Sequence, residues 1–123
     1  MTTTTHLQSI AVRVADQDRA RDFYVDVLGC TLRTDAEFWP GARWVEVVPP
    51  GSAVGIVLLT EAGGMPLGLR LGTADADDAH ARLAAAGVDV DDVLRLEVAP
   101  PMFTLRDPDG NPLVLIEDPA TGS

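Results

Sequence analysis

Few side chains in this chain are equipped for chemistry, and most of those are carboxylates and arginines. Nineteen acidic residues stand against nine basic ones, all nine arginine, for a formal net charge of −10. There are two histidines, His6 and His80, and one cysteine, Cys30. Glu46, in the segment ARWVEVV, is the sharpest acid–base candidate. A carboxylate held on an apolar sheet face can serve as a general base. The alternative is an ion pair with Arg13 or Arg70, or an exposed place at a sheet edge. Arg13 and Arg70 themselves carry the guanidinium fork that binds a carboxylate or enolate oxygen, unless they are rim residues in water. Trp44 can stack on a flat ligand or simply fill the sheet surface. Trp39, in EFWPGARW, lies beside a Pro–Gly turn, where it serves as a lid at a cavity mouth or as a subunit contact. Cys30 reads as structural, because no nearby histidine or arginine cluster would activate its thiol.

The elements that position these groups are written twice. SIAVRVADQDRARDFYVDVLG, from Ser9, is an alternating apolar run, an aspartate, an amphipathic helix pattern and a glycine. GLRLGTADADDAHARLAAAG, from Gly68 and 59 residues further on, has the same order. Such a duplication predicts two copies of one strand–helix–strands unit whose corresponding positions face a shared cavity. In the first copy, residues 9–14 alternate as a half-buried strand. Asp16 is an N-cap, and Ala20, Phe23, Tyr24, Val27 and Leu28 form one helical face. Gly29 closes the helix with Cys30 packing back on it. Strands are predicted near 31–35, 43–48 and 54–60. The second copy has a strand near 67–72, an N-cap at Asp75 and a helix using Ala76, Ala79, Leu83 and Ala86. Strands near 93–98, 102–106 and 112–117 follow, the last two joined by the turn DPDGN. The expectation is a single domain over 1–123, with module one about 8–61 and module two about 66–118.

Strand alternation predicts which side chains line the cavity. From the first copy these are Ser9, Ala11, Arg13, Trp44, Glu46, Val48, Ile56 and Leu58. The second copy adds Gly68, Arg70, Gly72, Met102, Thr104, Val114 and Ile116. An apolar lining with a few polar groups suits a small molecule. A nucleic-acid partner is disfavoured by the acidic charge and the absence of lysine. No apolar run reaches the roughly 18 residues of a membrane helix, and MTTTTHLQ lacks a signal-peptide pattern. The expected location is therefore cytoplasmic.

These residues carry a resemblance. AVRVADQDRARDFYVDVLG, LRLGTADADDAHARLAAAGV and FTLRDPDGNPLVLIE resemble the vicinal oxygen chelate superfamily, which groups glyoxalase I, bleomycin-resistance proteins and extradiol dioxygenases. The resemblance implies an α+β fold of paired βαβββ modules. Their curled mixed sheet surrounds a cavity, with helices on the outer face, and at this length the protein is a homodimer. It also implies where a divalent metal would sit in metal-dependent members, whose His and Glu ligands come from the first and last strand of each copy. Those positions fall on Ser9, Leu58, Gly68 and Val114, which supply no useful ligand set, so no metal and no cofactor is expected. A non-standard site recruiting His6 or Glu117 is the remaining metal option.

Three functions follow from the resemblance. The first is a metal-independent protein that binds a small molecule, sequestering an antibiotic or metabolite. Its ligand-binding residues would be Ser9, Arg13, Trp39, Trp44, Leu58, Arg70, Met102, Thr104 and Val114. The second is a metal-free isomerase, lyase or cyclase acting on a small oxygenated metabolite, with Glu46 as base. The third is a divalent-metal lyase or dioxygenase with displaced ligands.

Overall fold

A computed structural model describes residues 3–97 and 99–119. The order strand–helix–three strands occurs twice. The first set is β1 (Leu7–Arg13), α1 (Gln17–Asp22), β2 (Thr31–Trp39), β3 (Ala42–Val48) and β4 (Gly55–Leu59). The second is β5 (Gly68–Thr73), α2 (Ala76–Ala85), β6 (Leu94–Leu96), β7 (Ala99–Arg106) and β8 (Pro112–Glu117). The class is α+β, as the sequence predicts. Two compact units result. One is Gln8–Gly68; the other begins at Leu69 and takes in the N-terminal residues up to Leu7.

Each unit is a mixed four-stranded sheet of the same topology, with strand order β2-β3-β4-β1 in the first and β5-β8-β7-β6 in the second. The outer pairs are antiparallel, and the strand before the helix runs parallel to the last strand of its unit. Both helices begin on the predicted aspartates. The Asp16 carboxylate accepts from Arg19 N–H at 3.1 Å and that of Asp75 from Asp78 N–H at 3.0 Å, each satisfying an otherwise orphaned donor of the first turn.

Register decides which side chains share a face. In the first unit Ala11 lies opposite Val57, and Val57 opposite Glu46. Val12 lies opposite Leu58, and Leu58 opposite Val45. Since neighbours across strands point the same way, Glu46, Trp44, Val57 and Ala11 form one face, and Leu58, Val45 and Val47 the other. Val45, Val47 and Leu58 are fully buried. The element of this unit that packs against β3 and β4 is α1, whose Gln17 Nε2 donates to the carbonyls of Arg43 and Leu58 at 2.7 and 2.8 Å. The expectation that Leu58 and Ile56 share a face with Glu46 is thereby corrected. They belong to the helix side, and Val57 and Leu59 take their place.

The predicted helical face in the first copy is also corrected. After Asp22 the helix widens into a π-turn, Phe23–Val27, in which Leu28 N–H bonds back to Phe23 O at 3.1 Å. Five-residue bonds rotate successive side chains by less than the 100° of an α-helix, so the 3.6-residue stripe is lost. Phe23, Val27 and Leu28 are 49%, 68% and 52% exposed in this chain. Gly29 follows with φ of 80°, a conformation that its missing Cβ permits, and Cys30 is buried as expected.

In the second unit, α2 packs small residues, Ala76 and Ala79, onto Phe103, Leu105 and Leu115. Arg70, Val114 and Thr104 stand in register across β5, β8 and β7, with Met102 opposite Ile116. They point away from the Phe103 side that α2 covers. Glu117 is on the α2 side, where its Oε1 accepts Ala76 N–H at 3.0 Å and so supports the start of that helix.

A charged cluster ties α1 to the β2–β3 pair. Arg43 grips Asp35 through Nε and one terminal nitrogen, both at 2.9 Å, and reaches Asp18 at 2.9 Å. Hydrogen bonding from Arg43 is the largest influence on Asp35, with burial opposing it, and holds its carboxyl below the ordinary 3.8. A folded-state value below the unfolded one means that this stabilisation is complete above pH 3.8 and is lost as pH falls through the lower folded value. Replacing Arg43 with Met is expected to remove about 1 kcal/mol at neutral pH. It also flattens the loss of stability below pH 3.8. Urea melts of both proteins at several acid pH values check this; parallel pH slopes would refute it.

Candidate functional site

Glu46 sits in the middle strands of its unit, with both carboxylate oxygens engaged. Trp44 is two residues earlier on the same face, and its indole N–H donates to Glu46 Oε1 at 3.0 Å. Trp44 is itself buried and stacked on Phe38, with ring centroids 5.1 Å apart and planes 9° from parallel. Ala11, Val57 and Leu59, with Phe38, Met65 and Leu67, complete the apolar surround. The second oxygen, Oε2, accepts from the Arg33 guanidinium of β2. A β-bulge between Leu32 and Thr34 sets both Arg33 and Thr34 against Glu46, and bulges of this kind re-aim side chains. Arg33 also donates to Ala53 O at 3.3 Å.

Gly55 makes this arrangement fit. A Cβ at that position would collide with Glu46 Oε2 and with the Arg33 guanidinium, and would lie 2.9 Å from Glu46 Cδ. The bare backbone of β4 is thus the floor on which the pair rests. Beside it on β1, in register with Gly55, is Ser9. Ser9 is completely buried, and its hydroxyl has no hydrogen-bond partner among the described residues.

The other sequence candidates are distributed as follows. Arg13 is largely exposed and lies 3.9 Å from Glu61, and the ion pair considered for Glu46 with Arg13 or Arg70 is made instead with Arg33. Trp39 is not in a loop: it is the last residue of β2, opposite Ala42 in a hairpin turned by Pro40 and Gly41. In the second unit Arg70 is 1% exposed and Val114 is buried, with Met102 and Thr104 half-buried beside them. The two histidines part: His80 is on the helix side, whereas His6 lies over Gly72 on the Arg70 face, where a Cβ would come 2.5 Å from its Cε1. His80 Nε2 is 2.9 Å from Asp91 O, with its ring edge-on to Phe103 on the helix side. His6 Nδ1 is 3.0 Å from Thr5 Oγ1 and 3.6 Å from Asp118. Arg33, Gly55 and Phe38 are the positions around Glu46 and Trp44 that the sequence does not single out. A glycine at the head of an apolar strand was the one available signal.

The donor set does not fit a divalent metal. Of the four positions implied by the resemblance, Ser9 offers a neutral hydroxyl, and Gly68 and Val114 offer no side-chain donor. Register moves the remaining position from Leu58 to Val57 or Leu59, which are equally inert. Among the described residues no three His, Cys, Asp or Glu side chains are grouped to hold a metal ion.

The chain matches the Glyoxalase/Bleomycin resistance protein/Dioxygenase superfamily over residues 6–115 and belongs to it. The crystal structure of methylmalonyl-CoA epimerase from Mycobacterium tuberculosis has the same fold, with a TM-score of 0.82 and 23% identity over 97% of this chain and 91% of that one. TnmS3, an antibiotic binding protein from Streptomyces sp. CB03234, is 34% identical over 97% of this chain and 100% of its own, with a TM-score of 0.45. The uncharacterized protein YetH of Bacillus subtilis (strain 168) is 33% identical over 54 residues. That match spans 44% of this chain and 45% of YetH. Among the described residues no helix is long and apolar enough to cross a membrane.

Proposed function

We propose that this protein is a metal-independent, homodimeric binder of a small molecule, sequestering an antibiotic or metabolite, with the Ser9–Glu46 face as part of its binding surface. The observation that carries this reading is the Ser9 hydroxyl, fully buried without a hydrogen-bond partner among the described residues. Such a group costs about 1–3 kcal/mol unless something pairs with it, and a ligand oxygen accepting from Ser9 Oγ would repay that cost. The apolar side chains around it suit the body of an organic ligand.

Native mass spectrometry of the untagged protein, purified gently without chelator, tests the reading. The expected result is a dimer free of metal and carrying an organic mass. Ser9→Ala is expected to lower occupancy by that molecule about fivefold, while matching or exceeding wild-type stability by up to about 1 kcal/mol. A dimer holding divalent ions that a chelator removes would overturn it.

A second reading is favoured by Glu46. A buried carboxylate whose two oxygens are fixed by an indole N–H and a guanidinium is oriented as a catalytic base needs to be. It supports a metal-free isomerase, lyase or cyclase of a small oxygenated metabolite.

A further inference from the structure

Glu46 is held by two donors of very different permanence. Trp44 is 6% exposed and locked by stacking on Phe38. Arg33 comes from β2, at the edge of its unit's sheet, and its side chain is 39% exposed, against 10% for that of Glu46. Among the described residues its one other contact within hydrogen-bond range is the 3.3 Å bond to Ala53 O. Withdrawing Trp44 would break a packed core. Withdrawing Arg33 needs only rotation of a long, half-solvated side chain into water.

From this asymmetry we infer that Arg33 is a displaceable positioning arm, occupying at Glu46 Oε2 the place of a guanidinium or ammonium group on the ligand. The geometry around Gly55 supports this. The three atoms nearest to a Cβ placed on Gly55 are all side-chain atoms, two of Glu46 and the terminal nitrogen of Arg33, and none is backbone. The chain's net charge of −10 favours approach of a cation. A guanidinium or alkylammonium taking the place of Arg33 would donate to Oε2 while Trp44 kept Oε1 fixed, so the carboxylate would not have to reorganise. The bulge at Arg33 lets the arm leave without disturbing the pairing of Thr34 with Glu46. The preferred ligand is thus a cation bearing N–H donors. This inference rests on the Glu46 face being the binding face.

The experiment uses ethylguanidinium as probe and the Trp44 indole N–H resonance as readout, in uniformly nitrogen-15-labelled full-length protein. Arg33→Ala should shift that resonance, and millimolar ethylguanidinium should return it towards its wild-type position. An arm in place about nine-tenths of the time weakens apparent affinity about tenfold, so wild type should need about ten times more probe. Adding Glu46→Gln to Arg33→Ala should abolish the response, and Arg33→Lys should preserve the wild-type signal. An unmoved Trp44 signal in Arg33→Ala, no recovery with probe, or an undiminished response in the double variant would each overturn the proposal. Because no natural ligand is involved, such a failure leaves the binding-protein reading intact. A metal-bearing dimer in the mass spectrum would, conversely, sink that reading without touching the Arg33 result.

Discussion

Leu58→Ala is expected to lower folding stability by about 3 kcal/mol, the largest loss among the substitutions considered. Leu58 is fully buried, opposite Val45, on the side of the first unit that α1 covers. Removing three buried carbons forfeits their transfer free energy and leaves a cavity that close-packed neighbours fill only in part. The same substitution should leave ligand occupancy of the folded protein within about twofold of wild type, since the side chain points away from Glu46 and Ser9. Urea melts and native mass spectra at a temperature where both proteins are folded separate the two effects. Loss of ligand with unchanged stability would return Leu58 to the binding surface and contradict the register.

Glu46→Gln carries the largest expected effect on chemistry. Gln has nearly the shape of Glu, and its carbonyl can still accept from Trp44, so the fold should survive with a cost of about 1–2 kcal/mol. The amide cannot take a proton. If the protein is an isomerase, lyase or cyclase, turnover should fall by about 10²–10⁴-fold, with ligand affinity reduced by about tenfold. The check is deuterium uptake from heavy water into the ligand identified by mass spectrometry, compared between wild type and variant. Uptake that persists in Glu46→Gln rules out Glu46 as the base. Wild-type protein that binds its ligand without exchange or conversion leaves sequestration as the function.

The two predictions divide along a single geometric fact. Leu58 and Glu46 lie on neighbouring strands, but adjacent residues of a strand face opposite ways, so a one-residue difference in placement exchanges core for site. The sequence contains the alternation in WVEV and in GIVLL. It does not contain the offset between the two strands, which backbone pairing across the sheet fixes. Arg33 was hidden for the same reason. Nothing within TLRTDAEFW singles it out; it meets Glu46 because a bulge places two residues of β2 against one of β3. Trp44 was visible as an aromatic on the site face, but its stacking on Phe38 and its bond to Glu46 depend on contacts between strands.

By itself, the sequence determined what local physical chemistry encodes. The repeated strand–helix–strands order, the caps at Asp16 and Asp75, the turn at Gly29 and the small-residue helix after Asp75 each follow from neighbours within a few positions. So does the poverty of the four positions implied by the resemblance, where the hydroxyl of Ser9 is the sole side-chain donor whichever way the others face. Only the tertiary structure decided the π-turn that exposes Phe23 and Val27, the turning of Leu58 to the helix side, and the choice of Arg33, rather than Arg13 or Arg70, as the partner of Glu46. Each of these depends on register or on competition between distant segments for the same surface. Such choices are settled by the summed packing and pairing of several strands, and no single stretch of residues records them.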